Sequence, residues 1–181
     1  MSARPASAYG AHQAGCDNGS TRERLLDSAE ELIARHGFSA ASVRRITQHA
    51  DANLSAVNYY FGSKQTLTHE VLRRRLDQLN RARLDALTET RELPPEQRLR
   101  AILRALIEPA LILSRQPGLG GNRFVRLLAR AYAEDDRHLH AFLHEHYGHV
   151  MRSFADAVRE VLPELDDVDL RNHLDFIIGA L

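Results

Sequence analysis

The sequence predicts an all-α protein. Three observations carry that expectation. No segment alternates apolar and polar residues with a period of two, apolar residues recur three and four apart over long stretches, and helix-capping residues, Gly and Pro punctuate those stretches. No internal repeat is present. The chain divides into a disordered arm over 1–20, a three-helix unit over 21–66 and a helical bundle over 67–181.

The arm is small, polar and Gly/Ala-rich without periodicity. At Ser20 a capping box with Glu23 opens the first helix, and Leu25, Leu26, Ala29, Leu32 and Ile33 form its inner stripe. Gly37 ends it, at a position that favours a left-handed backbone. Ser42 caps a second helix over Val43–Ala50, with Val43, Ile46 and Ala50 inward. After a tight turn at Asp51-Ala52, Asn53 caps a third helix that stops at Gly62. Ser63 caps a long fourth helix that runs to about Thr90. Pro94-Pro95 breaks the chain. A helix from Glu96 to Ser114 follows, interrupted and bent at Pro109, which supplies no backbone donor. Then come a QPGLGGN loop, a helix over Arg123–Ala133, a long helix over Arg137–Leu162 ended by Pro163, and a last helix from Asp167 still running at Leu181.

Composition excludes several classes. Apolar residues make up 44% of the chain, enough for a core. The 24 basic residues balance 24 acidic ones, so any basic surface is local. A lone cysteine, Cys16, permits no internal disulfide. No signal pattern and no apolar run of membrane-spanning length occurs, which reads as a cytoplasmic protein without membrane association.

The stretch NLSAVNYYFGSK, Asn53 to Lys64, is the informative one. Three helices in some forty residues, the second and third joined by a tight turn, match the helix-turn-helix plan, in which a short third helix lies in the DNA major groove. Val57 and Phe61, four apart, are the apolar pair that docks this helix. Leu54, Ser55, Asn58 and Tyr59 then point outward. Asn58 suits two hydrogen bonds to an adenine edge, and tyrosine hydroxyls suit phosphates. Ser42 and Arg44 stand where a helix N-terminus favours a phosphate, and Lys64 reaches the flanking one. Arg44, Arg45 and Lys64 against Asp51 give the region from Ser42 to Lys64 a net charge of +2. Asn53 and Tyr60 complete the candidate DNA-binding set.

Residues 21–75 resemble the DNA-binding domain of TetR-type transcriptional repressors. The resemblance rests on ARHGF followed by SVRRITQHADANLSAVNYYFGSKQTL. It implies that Arg44, Ser55, Asn58, Tyr59, Tyr60 and Lys64 occupy DNA-contacting positions. Two positions depart from the family pattern. Asp51-Ala52 replaces the usual Gly-Val of the turn, and Asn58 stands where most members carry Tyr. The wording AVNYYFGSK, with LHAFLHEHYGHVMRSF later on, resembles a branch that includes regulators of fatty-acid metabolism.

Other features favour bland readings. The Arg73-Arg74-Arg75 run reads as a solvated helix face. Among His138, His140, His144, His146 and His149, the pair His140 and His144 has metal-binding spacing, but HEHYGH is not a catalytic zinc pattern, so a partly exposed helix face is favoured and no cofactor is expected. His146 falls on the inner stripe, as a core histidine ahead of a cavity-lining one. Arg123, Arg126 and Arg130 read as a surface stripe, with a clamp for an acidic ligand or neighbour as the alternative.

After residue 95 no catalytic constellation occurs, so the chain is not read as an enzyme. An apolar bundle with a proline-bent helix leaves a gap for a ligand. The expected lining is Leu103, Leu106, Ile107, Leu111, Phe124, Leu128, Tyr132, Phe142 and His146. The resemblance implies a ligand that tilts the long fourth helix and releases a palindromic operator, with a fatty-acyl molecule as the leading effector. It also implies a homodimer formed at the C-terminus. There the stripe Leu170, Leu174, Ile177 or Ile178, and Leu181 stops in mid-pattern and is expected to seek a partner, giving a twofold dimer through the 167–181 helix, aided by the 137–162 helix, with a smaller interface than the family usually has and a weak dimer if the chain is truncated. Two alternatives stand beside this ligand-responsive, dimeric DNA-binding regulator. One is a constitutive DNA-binding protein. The other is a helical metal-binding protein or enzyme using the histidines of 138–149.

Overall fold

The computed structural model describes residues 18–115 and 121–179. Eight α-helices carry these residues: α1 Asn18–His36, α2 Val43–His49, α3 Ala56–Phe61, α4 Lys64–Glu89, α5 Pro95–Arg115, α6 Asn122–Ala133, α7 Arg137–Val161 and α8 Asp167–Gly179. A single 3₁₀ turn, Thr90–Glu92, leads α4 towards α5. No strand occurs among the described residues, as the lack of period-two patterning predicts. Residues 1–17 of the expected arm lie outside the described residues, while Asn18 to Ser20 belong to α1. Ser20 is therefore inside the first helix rather than its cap.

Local chemistry sets most of the other ends. The Ser42 side chain accepts the Arg45 N–H and opens α2, and Ser63 accepts the Thr66 N–H and opens α4. Asp136 caps α7 by accepting from the His138 and Leu139 amides. Gly37 and Gly62 close α1 and α3 at φ of 86° and 74°, where a side chain would be strained. Asp51 takes φ of 49° in the α2–α3 turn, a conformation Asp tolerates.

Pro109 does not interrupt α5, contrary to expectation: the helix continues through it to Arg115. The helix is long enough for packing to hold both halves, and Ile102, Ala105, Leu106, Ala110 and Leu113 are buried on either side of the proline.

The apolar faces meet in two cores. The first joins α1, α2 and α3 to the first half of α4 and extends through Ala110, Leu113, Phe124, Leu127, Ala131, Leu139 and Phe142. The second lies at the far end, where Leu87, Ile102, Leu106, Val150, Phe154 and Val158 surround Leu170 and Leu174. The expectation of a stripe with nothing of its own to pack on is thus corrected. Leu170 and Leu174 are 3% and 5% exposed inside the chain's own core, because α7 offers them a facing apolar stripe. Ile177 packs partly buried against the same cluster. Ile178 and Leu181, named for the same role, lie outside the residues whose side chains are described. The first core also runs across the boundary expected at residue 66, since α4 is one helix on both sides of it.

Candidate nucleic-acid interface and ligand cleft

The short third helix is six residues, two shorter at its start than the sequence suggests. Asn53 does not cap it. Its side-chain oxygen instead accepts from the Ser55 amide and the Ser55 hydroxyl, both at 3.0 Å, and stiffens a turn that ends at Ala56. Leu54 and Ser55 belong to that turn, exposed beside the helix rather than on it. Val57 is fully buried and Phe61 is 6% exposed, so the predicted pair seats α3 on the core. That seating turns Asn58 and Tyr59 to solvent, Tyr59 to 74% exposure. An aromatic residue so exposed buries little of its apolar surface within the chain.

The flanking candidates divide. Arg44 and Asn58 are exposed, and their side chains have no hydrogen-bond or ion-pair partner among the described residues. Arg45 is exposed but donates to the Ala40 carbonyl at 3.0 Å. Lys64 is half-buried, and its ammonium donates to the Phe38 carbonyl at 2.7 Å. Two of its three donors stay available for a phosphate. Tyr60 departs from the outer face: it is half-buried against the first core. Adjacent helical positions diverge, yet its ring meets that of Tyr59 edge-on at 4.9 Å between centroids.

Several supports carry no sequence signal, because they bridge residues 26 to 48 apart. Arg24 Nε donates to the Ala50 carbonyl at 3.1 Å and closes the end of α2 at the turn. Arg22 pairs with Glu70 and lies over the Phe61 ring at 5.2 Å. In the Arg73-Arg74-Arg75 run, Arg73 and Arg74 are exposed, as a solvated face predicts, while Arg75 turns inward towards α1, and all three have partners. Arg73 bonds His146, Arg74 pairs with Asp27 at 2.6 Å, and Arg75 makes a forked pair with Glu30, itself 1% exposed. In the basic stripe of α6, Arg123 meets the acidic neighbour Glu31 at 3.5 Å, while Arg126 and Arg130 are exposed.

A cleft of about 430 Å³ opens between α4, α5 and α6. Of the nine residues expected to line it, Leu111, Phe124, Leu128 and Tyr132 do so. The other walls come from Leu76, Leu79, Ala110, Val125 and the buried Arg83, which the sequence did not single out. Leu106 is instead fully buried in the second core, while Leu103 and Ile107 sit half-buried on α5 away from the cleft.

Phe142 and His146 also lie elsewhere, because their face of α7 packs on α4. Phe142 stacks on His69 at 4.0 Å between centroids. His146 bonds the Phe142 carbonyl through Nδ1 and Arg73 through Nε2. Arginine only donates, so Nε2 accepts and the proton sits on Nδ1. Burial, with Arg73 and His146 close by, holds the His69 pKa below the ordinary histidine value. The remaining histidines of the run, His138, His140, His144 and His149, are exposed. Among the described residues no three His, Cys, Asp or Glu side chains gather in a way that could hold a metal. No helix among them is long and apolar enough to cross a membrane.

An outward-facing short helix behind a tight turn, joined to a helical bundle with an apolar cleft, defines the helix-turn-helix regulator class. Residues 25–71 match the model of bacterial regulatory proteins of the tetR family, and residues 104–181 match the tetracyclin repressor-like C-terminal domain. The chain belongs to the TetR family.

It is 38% identical over 53 residues to the probable HTH-type transcriptional regulator YttP of Bacillus subtilis, an alignment covering 29% of this chain and 26% of that protein. It is 37% identical over 87 residues to the HTH-type transcriptional regulator BetI of Vibrio vulnificus, covering 46% of this chain and 42% of that one. The chain thus spans less than half the length of these curated relatives. A putative transcriptional regulator, SCO7518 from Streptomyces coelicolor, shares the fold with a TM-score of 0.58 at 23% identity, over 88% of this chain and 84% of its own.

Proposed function

We propose that the protein is a sequence-specific, dimeric DNA-binding regulator of transcription, a repressor released from a palindromic operator by a small apolar or amphipathic molecule. The observation that carries the reading is that Arg44 on α2, and Asn58 and Tyr59 on the helix anchored by Val57 and Phe61, are exposed together, with Arg44 and Asn58 lacking a side-chain partner among the described residues. The chemistry of all three side chains is that of base-edge and phosphate recognition. The names of the relatives, HTH-type transcriptional regulators, support the same activity. A protein whose partner is the operator works where the DNA is, in the cytoplasm.

The cleft supports the ligand arm, and the resemblance keeps a fatty-acyl compound as the leading effector. A twofold dimer sets two recognition helices about 34–36 Å apart, one DNA turn. Selection of duplexes from a random pool, followed by titration of the selected site against scrambled DNA at several salt concentrations, tests the DNA arm. Equal affinity for both sequences overturns it. For the ligand arm, Leu128→Arg puts a charge into the cleft and is expected to abolish effector release while leaving operator binding intact. Release by effector in that variant moves the ligand site elsewhere.

A further inference from the structure

Arg83 is 3% exposed in the wall of the cleft, and among the described residues no carboxylate lies within ion-pairing distance of it. Its Nε donates to the Leu106 carbonyl at 2.9 Å and one terminal nitrogen to the Asn80 side-chain oxygen at 3.4 Å. A guanidinium carries five N–H donors and stays protonated in proteins, so these two neutral acceptors leave both donors and the charge unanswered. The Leu106 bond has a local reason. Leu106 lies three residues before Pro109, next to Ala105, whose carbonyl a proline at 109 crowds and leaves without a helical donor. Arg83 supplies a donor at that disturbed turn. A neutral donor would serve the carbonyl equally well, so the bond does not account for a buried positive charge, which is costly without a counter-ion.

The rest of the cleft is mostly apolar: Leu76, Leu79, Ala110, Phe124, Val125 and Leu128 surround the space, and the hydroxyls of Ser114 and Tyr132, which are neutral, are its other polar groups. We propose that the cleft binds an amphipathic monoanion, an apolar body with one carboxylate-type head, and that Arg83 is its counter-ion. This rests on the ligand-sensing reading above and specifies the ligand class. A planar guanidinium takes a carboxylate through two parallel charge-assisted hydrogen bonds, strengthened by the low-dielectric surroundings. A neutral amphiphile leaves the buried charge unanswered, and a cationic one adds repulsion.

Three ten-carbon probes below their micelle concentrations test the proposal at pH 7.5: decanoate, 1-decanol and decyltrimethylammonium, titrated calorimetrically into the full chain. Wild type is expected to bind decanoate roughly tenfold or more tighter than decanol, with the ammonium weakest. Arg83→Met keeps the length and removes the charge, and is expected to bind decanoate and decanol alike. Arg83→Lys, which keeps the charge and loses the fork, is expected to retain a reduced preference for the anion. Should the Met variant fail to fold, the ranking of the three heads on wild type decides. Equal binding of decanoate and decanol, no binding of decanoate, or an anion preference that survives in Arg83→Met overturns the proposal. Operator release is followed in the same samples. Release by decanol as readily as by decanoate overturns the anion site and leaves the regulator reading standing. An anion preference without release supports the anion site and counts against a ligand-released repressor.

Discussion

Glu134 accepts the backbone N–H of Phe38 with both carboxylate oxygens, at 2.9 and 3.2 Å. Glu134 follows Tyr132 and Ala133 of the cleft wall, and Phe38 is the second residue of the connection between α1 and α2. The carbonyl of the same Phe38 accepts the Lys64 ammonium at 2.7 Å. One residue thus links the end of the cleft to the lysine beside the recognition helix. Gly37 makes room for this link: a Cβ there would stand 2.1 Å from a Glu134 oxygen, on a backbone at φ of 86°. Gly37→Ala is expected to cost about 1–3 kcal/mol from the left-handed backbone alone, and to displace the carboxylate as well. Urea melts of Gly37→Ala and Glu134→Ala check this. Near-wild-type stability of the glycine variant argues against the link.

The recognition face makes a contrast between two neighbours. Asn58→Ala is expected to weaken operator binding by about 1–3 kcal/mol and to relax preference at one base pair. Arg44→Ala is expected to weaken all duplexes alike and to flatten the salt slope by about one unit. Lys64→Ala shares that electrostatic loss and also melts lower, because it breaks the bond to Phe38. Fluorescence anisotropy on the selected site and on random DNA separates the three.

The Arg75–Glu30 fork ties α4 to α1 inside the first core. Removing Glu30 leaves a mostly buried guanidinium without its partner, so Glu30→Ala is expected to destabilise the fold by about 3 kcal/mol. Chemical denaturation measures the loss, and a change below a few tenths would show that solvent replaces the carboxylate.

His69 gives a pH dependence. Its folded pKa lies below the ordinary histidine value, so between the two values the unfolded chain binds more protons. Stability from this residue is complete above the unfolded pKa and declines as pH falls towards the folded one. Wild type should therefore lose stability on acidification from neutral pH. His69→Phe, which keeps a ring against Phe142 and cannot titrate, should lose less. Parallel urea midpoints at pH 7.5 and 5.5 decide, and identical slopes contradict the assignment.

Features that depend on neighbours in the chain were legible. Ser42 and Ser63 cap helices because a hydroxyl reaches an amide three residues on. Val57 and Phe61 face the core because four residues make about one turn. Asp51 turns because it tolerates a left-handed backbone. What depends on packing between distant segments was not legible. Nothing beside Arg83 in sequence reveals that it meets the carbonyl of Leu106, and nothing beside Glu134 points to Phe38. The helical period marked Leu170 and Phe142 as inward but could not say against what. One fills the chain's own second core, and the other stacks on His69 instead of lining the cleft.

The continuity of the first core bears on how such regulators can be recombined. Ala131, Leu127 and Phe124 of α6 share a cluster with Leu25, Ile33 and Phe38 of α1 and its following turn. A hybrid joined at residue 66, with a foreign sensor half, would set the α1 face against side chains that do not fit it. A working chimaera has to transplant the α6 stripe as well, or redesign α1 to suit the new one. The portable piece is larger than the reading head, and the seam for engineering follows a buried surface instead of a point in the chain.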